Sequence, residues 1–183
     1  MIETETAAVY SNLRANIEAR GFTLLAAVVD GKKGIREVFS DIPVQMCQFH
    51  QLMIIRRYLT MHPRLEAGKE LNELGKGLCQ FESSEFEKRF TDWCAKWDDF
   101  LKEKTVISGS NWFYTHRRLR SARRSIKTNL PYLFTHQKFP ELKIPNTINC
   151  IESLNSRIKE LLHVHRGSSR RLKEKIISEI LEK

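Results

Sequence analysis

Four residues have the type and setting to handle a metal ion. Asp30 closes the apolar run "LLAAVV", Cys47 and His50 lie in "CQFH", and Glu152 lies in "NCIESLNS". A carboxylate at the carboxyl end of a buried strand is where an open α/β sheet keeps its chemistry. The Asp30-Gly31 pair is also ordinary turn vocabulary, and on these residues alone the turn is the stronger reading. Glu152 has its own plain explanation, since it stands three positions after Asn149, where it would reach back to a helix start as in a capping box. With about 100° per residue, it shares a polar side with Asn155, Ser156, Lys159 and His163. Ile151, Leu154, Ile158, Leu161 and Leu162 lie on the adjacent apolar side. A carboxylate aligned with Lys and His suits a phosphate- and metal-handling edge, but a solvated face has the same pattern and is preferred on these residues alone. The C-x2-H spacing of Cys47 and His50 is ligand-like. Structural zinc, however, takes four ligands, normally with a second close pair, and Cys79, Cys94 and His116 form none. Zinc is therefore disfavoured, and a thiol and an imidazole hydrogen-bonded at a strand end is the simpler assignment.

A second kind of chemistry is written into "THRRLRSARRSIKTN". On a helix, Arg117, Arg120, Arg123, Arg124 and Lys127 share one broad face, and Leu119, Ala122 and Ile126 share the opposite one. Guanidinium forks match phosphate oxygens, and several on one helix form a surface that tracks a nucleic-acid backbone with strongly salt-dependent affinity. Solvated helix faces usually mix both signs, and no acid occurs from His116 to Asn129. Binding is favoured, without sequence specificity, because phosphate contacts position rather than specify.

Bulk properties agree. The chain has 183 residues, with 31 Lys+Arg against 22 Asp+Glu, for a net charge of +9. That surplus favours a polyanionic partner, with nucleic acid ahead of an anionic membrane surface. A hydrophobic content of 41% is enough to build a core, and the length suits one domain or a small domain carrying an insertion. No segment approaches the ~20 apolar residues of a membrane span, and the acidic start "MIETETAAVY" lacks the features of a secretory signal. Cys47, Cys79, Cys94 and Cys150 are scattered, which reads as buried thiols of an intracellular protein. A cytoplasmic, DNA-associated location is the expectation.

These residues need elements to position them. "TAAVYSNLRANIEARG" predicts a helix, with Val9, Leu13 and Ile17 inward and Gly21 ending it. The continuous apolar run "FTLLAAVV" predicts a strand covered on both faces, as in parallel sheets. "KKGIREVFS" makes a short helix with Ile35, Val38 and Phe39 inward, and "PVQMCQFH" alternates as a second strand. From Leu52 to about Asn129 the pattern is helical. Its clearest part is "SSEFEKRFTDWCAKWDDFL", capped by Ser84 with Glu87 and carrying a packing stripe of Phe86, Phe90, Trp93, Trp97 and Leu101. "VISGSNWFY" reads as a loop and "LPYLFTHQKFPELKIPNT" as an extended connector. Two helices follow, the first stopping at Gly167 and the second starting at a Ser cap.

The order of these motifs, "VVDGKKGIREVFSDIPVQMCQFHQ", a helical stretch and "PNTINCIESLNSRIKELLHVHRG", resembles the latter part of a DDE transposase. It is similar to the Mutator-like and related bacterial insertion-sequence groups, over roughly residue 6 to the C-terminus. The resemblance implies an α/β fold: a partial RNase H-like fold (helix–strand–helix–strand, then C-terminal helices) interrupted by an all-α insertion. Residues 1–52 would form the partial core, 53–143 the all-helical insertion, and 144–183 the C-terminal helices returning to the core. It implies that Asp30 and Glu152 are the second and third catalytic carboxylates and metal ligands, with Cys47 and His50 as a supporting C-x2-H motif. The basic residues Arg117, Arg120, Arg123, Arg124, Lys127 and Lys159 would face DNA. The implied cofactor is Mg2+ or Mn2+, with two ions about 3.5–4 Å apart promoting in-line attack on a phosphodiester.

The chain departs from the family at one point. The first catalytic Asp belongs on an antiparallel strand ahead of the opening helix, where only "MIETE" stands, and Asp41, Asp92, Asp98 and Asp99 lie in other contexts. Glu3 or Glu5 has no strand to sit on. The expectation is the C-terminal portion of a transposase, truncated, split or decayed, and inactive alone. It would present an apolar edge able to aggregate, to self-associate as a homo-oligomer or to dock an upstream transposase half. A non-enzymatic basic DNA-binding or regulatory protein is the alternative.

Overall fold

The computed structural model describes residues 6–32, 34–109 and 111–181; Glu3 and Glu5 lie outside them. The chain is mixed α/β and mostly helical. Helix α1 (Ala7–Ala19) begins where the Thr6 hydroxyl accepts the Val9 N–H, and it ends at Gly21, whose φ of +84° suits a residue without a Cβ. Gly21 N bonds to Glu18 O and Phe22 N to Ile17 O, a Schellman closure that satisfies the last carbonyls.

Strand β1 (Ala27–Val29) pairs in parallel with β2 (Val44–Met46), Val28 opposite Gln45, and between them runs the short helix α2 (Ile35–Val38). The parallel pairing agrees with the continuous apolar run. The strand is nevertheless shorter than the run predicts, and it is not covered on both faces. Only β2 pairs with it among the described residues, and Phe22 and Leu25 stand 65% and 62% exposed. Conversely β2, read as alternating, is buried throughout, because α2 lies on its approach and the later helices cover it. Val29, Ile35 and Val44 form a small core with Phe39 and Tyr10 against it.

Arg14 of α1 ties this layer together. Its guanidinium grips Asp41 through Nη1–Oδ1 and Nη2–Oδ2, both 2.5 Å, and donates to Val38 O at 2.8 Å. Those hydrogen bonds hold the exposed Asp41 carboxyl down to about 2. Such a group lends stability above its unfolded value of about 3.9 and gives it up as pH falls through the folded one. Asp41→Asn should therefore melt slightly below the parent at pH 7, with the gap closing between about pH 4 and pH 2. A gap that persists at the acid end would contradict the assignment.

The second strand ends at Met46, so Cys47 and His50 do not prolong it. Cys47 stands at the N-cap position of α3 (Gln48–Leu59) without a side-chain capping bond, and His50 lies in its first turn. Then come α4 (Glu66–Lys76), α5 (Ser83–Lys96) and α6 (Asp98–Lys102). The predicted stripe is packing surface, with Phe86, Phe90, Trp93 and Leu101 buried beside Leu71, Leu119, Ile126 and Phe134. Helix α5 starts two residues earlier than the Ser84 cap requires. The Gln137 side chain accepts the Ser83 N–H at 2.9 Å, and the Ser83 hydroxyl donates to Glu87 at 3.0 Å.

The segment read as a loop is an antiparallel hairpin, β3 (Lys104–Ser108) and β4 (Asn111–Tyr114), so residues 53–143 are not all-helical. Its strands carry β-branched and aromatic residues but pair only with each other among the described residues, and periodicity over so few residues is ambiguous. Helix α7 (Arg117–Leu133) runs through Pro131, and α8 (Thr135–Lys138) and a 3-10 turn (Pro140–Leu142) follow it. The predicted extended connector is therefore mostly helical. It is held by buried polar bonds: Thr135 Oγ1 donates to Val44 O at 2.7 Å, and Gln45 Nε2 donates to Leu133 O at 2.8 Å.

The last helices are α9 (Asn149–Val164) and α10 (Arg170–Leu181), the latter capped by the Ser169 hydroxyl as expected. Neither contributes a buried residue. The cysteines are free, and only Cys47 is buried; Cys79 and Cys150 are exposed, against the expectation of buried thiols. Among the described residues no helix is long and apolar enough to cross a membrane.

Candidate functional site: an acid pair and a basic cleft

Asp30 is the first residue beyond β1. Its Oδ1 accepts the Lys32 N–H at 2.9 Å, closing an Asx turn through Gly31, which sits at φ +88°. A Cβ at Gly31 would come within 2.7 Å of the movable Met46 Cε, so it is chiefly the positive φ that opposes a side chain there. Turn and exposed carboxylate are thus compatible, with Oδ1 held by the turn and Oδ2 outside it.

Glu152 approaches from the far end of the chain. The segment before α9 is pinned by burial of Ile144 and by the Gln48 N–H donating to Asn146 O at 2.9 Å. This brings the start of α9 beside the first turn of α3. The helix cap predicted for Asn149 is not formed: Ile148 is the N-cap, without a side-chain bond. Glu152 turns instead to His50, with Oε1 3.1 Å from Nε2. His50 Nδ1 is buried and has no hydrogen-bond partner among the described residues.

Asp30, His50, Glu152 and Asn155 line one cleft of about 700 Å³, whose other wall is apolar: Leu13 and Ile17 of α1, and Leu24 and Val28 of the β1 segment. Cys47 is not part of the lining and stays buried in the core. The structure therefore separates the C-x2-H pair, leaving His50 alone at the cleft. Lys159 is exposed on α9 and does not line it. Among the described residues no three His, Cys, Asp or Glu side chains converge as a closed metal cage. Mg2+ sites are commonly completed by water and substrate phosphates around one or two carboxylates, so the donor chemistry of Asp30 and Glu152 suits that mode of binding.

The basic face of α7 lines a separate cleft of about 380 Å³, formed by Arg117, Arg120, Arg123, Arg124 and Lys127 with Tyr114 and Ser121. The opposite face, Leu119, Ala122 and Ile126, is buried as the periodicity predicts. The cations are not equivalent. Arg120 donates to Leu101 O at 2.8 Å and stacks 3.5 Å over the Tyr114 ring. Arg123 pairs with Asp98 at 3.4 Å. The helix itself is free of acid, but α6 brings one in space. Arg124 and Lys127 are exposed and make no ion pair among the described residues.

What sequence reasoning missed is the polar ladder behind the cleft. Gln45, Gln48 and Gln51 are spaced three apart and buried, and they bond Leu133 O, Ser125 and Asn129. The recurrence of one amide at that spacing was the available signal. Compared with family models, curated proteins and solved structures, the chain matches none of them.

Proposed function

We propose that this chain is a portion of a DDE-type transposase catalytic domain, an RNase H-like core interrupted by a mainly helical insertion, which binds DNA through α7. The observation that carries the proposal is that Asp30 and Glu152, remote in sequence, line the same cleft. That is the arrangement the motif order requires. Asp30 and Glu152 would hold Mg2+ or Mn2+, which when bound polarises a phosphoryl oxygen and eases in-line attack by water or a 3′-hydroxyl. The Asx turn keeps the Asp30 carboxylate in place, His50 Nε2 orients Glu152, and the apolar wall excludes water from one side.

The resemblance calls for one more carboxylate on a neighbouring strand. Ala27 N and Val29 O are both bonded toward β2, so the backbone of Val28 faces the other way. That edge is where such a strand would pair, from a second copy or an upstream transposase half. Asp30 and Glu152 by themselves would take up a single ion.

Titration of the whole chain with Mn2+, followed calorimetrically, tests the proposal. The parent should take up one ion, and Asp30→Asn and Glu152→Gln should each weaken it tenfold or more. Equal uptake by parent and variants, or none by the parent, would overturn the catalytic assignment. The Glu152–His50 contact favours one second reading, in which both groups are structural and the protein only binds DNA. DNA binding unchanged in Asp30→Asn, with no Mn2+ uptake, would select it.

A further inference from the structure

The β3–β4 hairpin exposes more large apolar side chain than its own packing requires. Val106, Ile107 and Trp112 stand 66%, 71% and 48% exposed. Of the three tryptophans, Trp93 is buried and Trp97 is half-buried against Phe100, so Trp112 is the one turned to solvent. The pairing places Lys104 opposite Tyr114 and Val106 opposite Trp112, and side chains directly opposite in a ladder share one face.

That face is a continuous strip. Lys104 Nζ lies 3.7 Å over the Trp112 ring, and Trp112 meets Tyr114 edge-on with centroids 5.2 Å apart. Arg120 then lies 3.5 Å over Tyr114, and Tyr114 is itself a wall of the α7 cleft. On the other face Arg117 stacks 4.4 Å over Phe113. Every aromatic ring of β4 thus carries a cation, and neither strand contains an acid. An exposed aromatic flanked by cations and continuous with a basic cleft complements a polyanion that carries flat apolar groups. Bases stack on such rings irrespective of sequence, because every base has a π-face, while cations beside them track the backbone.

We propose that the hairpin is a base-stacking element: Trp112 takes an unpaired base of single-stranded or locally opened DNA whose phosphates run into the Arg124–Lys127 cleft. The assignment rests on the DNA-binding reading of α7, but adds a preference that α7 alone does not predict. A purely phosphate-tracking surface binds duplex and single strand through charge, whereas a stacking ring needs a base released from its pair.

The full chain, Trp112→Ala and Trp112→Phe should be compared by fluorescence anisotropy on a labelled oligothymidylate and on a blunt duplex of equal length. Trp112→Ala should lose roughly tenfold or more in affinity for the single strand, with duplex affinity within about twofold of the parent. Trp112→Phe should recover most of the loss, because a phenyl ring still stacks. Equal weakening on both DNAs, or no change on either, overturns the stacking role while leaving DNA binding intact. Absence of salt-sensitive binding to both DNAs by the parent overturns the α7 reading and the hairpin role together. An oligomer in the parent that dissociates in Trp112→Ala, without a single-strand defect, would assign the hairpin to protein contact instead.

Discussion

Replacing Gln45 by Leu should lower stability by about 2–4 kcal/mol, although the two side chains are nearly equal in size. Gln45 is fully buried on β2. Its Nε2 donates to Met46 O at 2.6 Å and to Leu133 O at 2.8 Å, and its Oε1 accepts the His136 N–H at 2.9 Å. Leucine fills the space but leaves those backbone groups without a partner, and each buried orphan costs about 1–3 kcal/mol. Gln48 Nε2 still reaches Leu133 O at 2.9 Å, which limits the loss at that carbonyl. For a chain of this size roughly 2–4 °C accompanies each kcal/mol, so a thermal melt should fall by about 5–15 °C. Lys69→Ala, which removes an exposed pair with Glu66, should leave the melt almost unchanged, as exposed pairs contribute little. An unchanged melt for Gln45→Leu would mean that the amide ladder does not join the strand layer to the helices.

The second large effect concerns DNA. Arg124→Ala combined with Lys127→Ala should reduce affinity for a random duplex about tenfold or more at low salt. It should also flatten the slope of log K against log salt by about 2, since each phosphate no longer neutralised removes close to 0.9. Both are exposed α7 cations that make no ion pair among the described residues, so folding should be unaffected and the melt serves as control. Arg120→Ala would be a poorer probe, since its guanidinium holds Leu101 O and stacks on Tyr114. An unaltered salt slope in the double variant would place the DNA surface elsewhere or remove it altogether.

The features legible in the sequence were those whose cause is local. The buried and charged faces of α7 and the stripe on α5 follow from 3.6-residue periodicity, and the C-terminal end of α1 follows from Gly21. Asp30 was legible as the end of a strand, and so was its parallel partner. What escaped has a remote cause. The apolar run before Asp30 is paired over only three residues, because pairing depends on what lies beside it. Pro131 stays within a helix since tertiary bonds at Gln45 and Thr135 hold the following turn. Glu152 looked like a cap because its real partner, His50, is remote in sequence and only 3.1 Å away in space.

The acid-bearing helix is anchored at one end only. Asn146 is fastened to α3, while no residue of α9 or α10 is buried. Ile151 and Leu154 are 59% and 36% exposed. Local stability follows buried contact, so this arm opens at far lower free energy than the helices around Phe86. The spacing between Asp30 and Glu152 is therefore an adjustable quantity: whatever comes to lean on that bare stripe also tunes how closely the two acids approach.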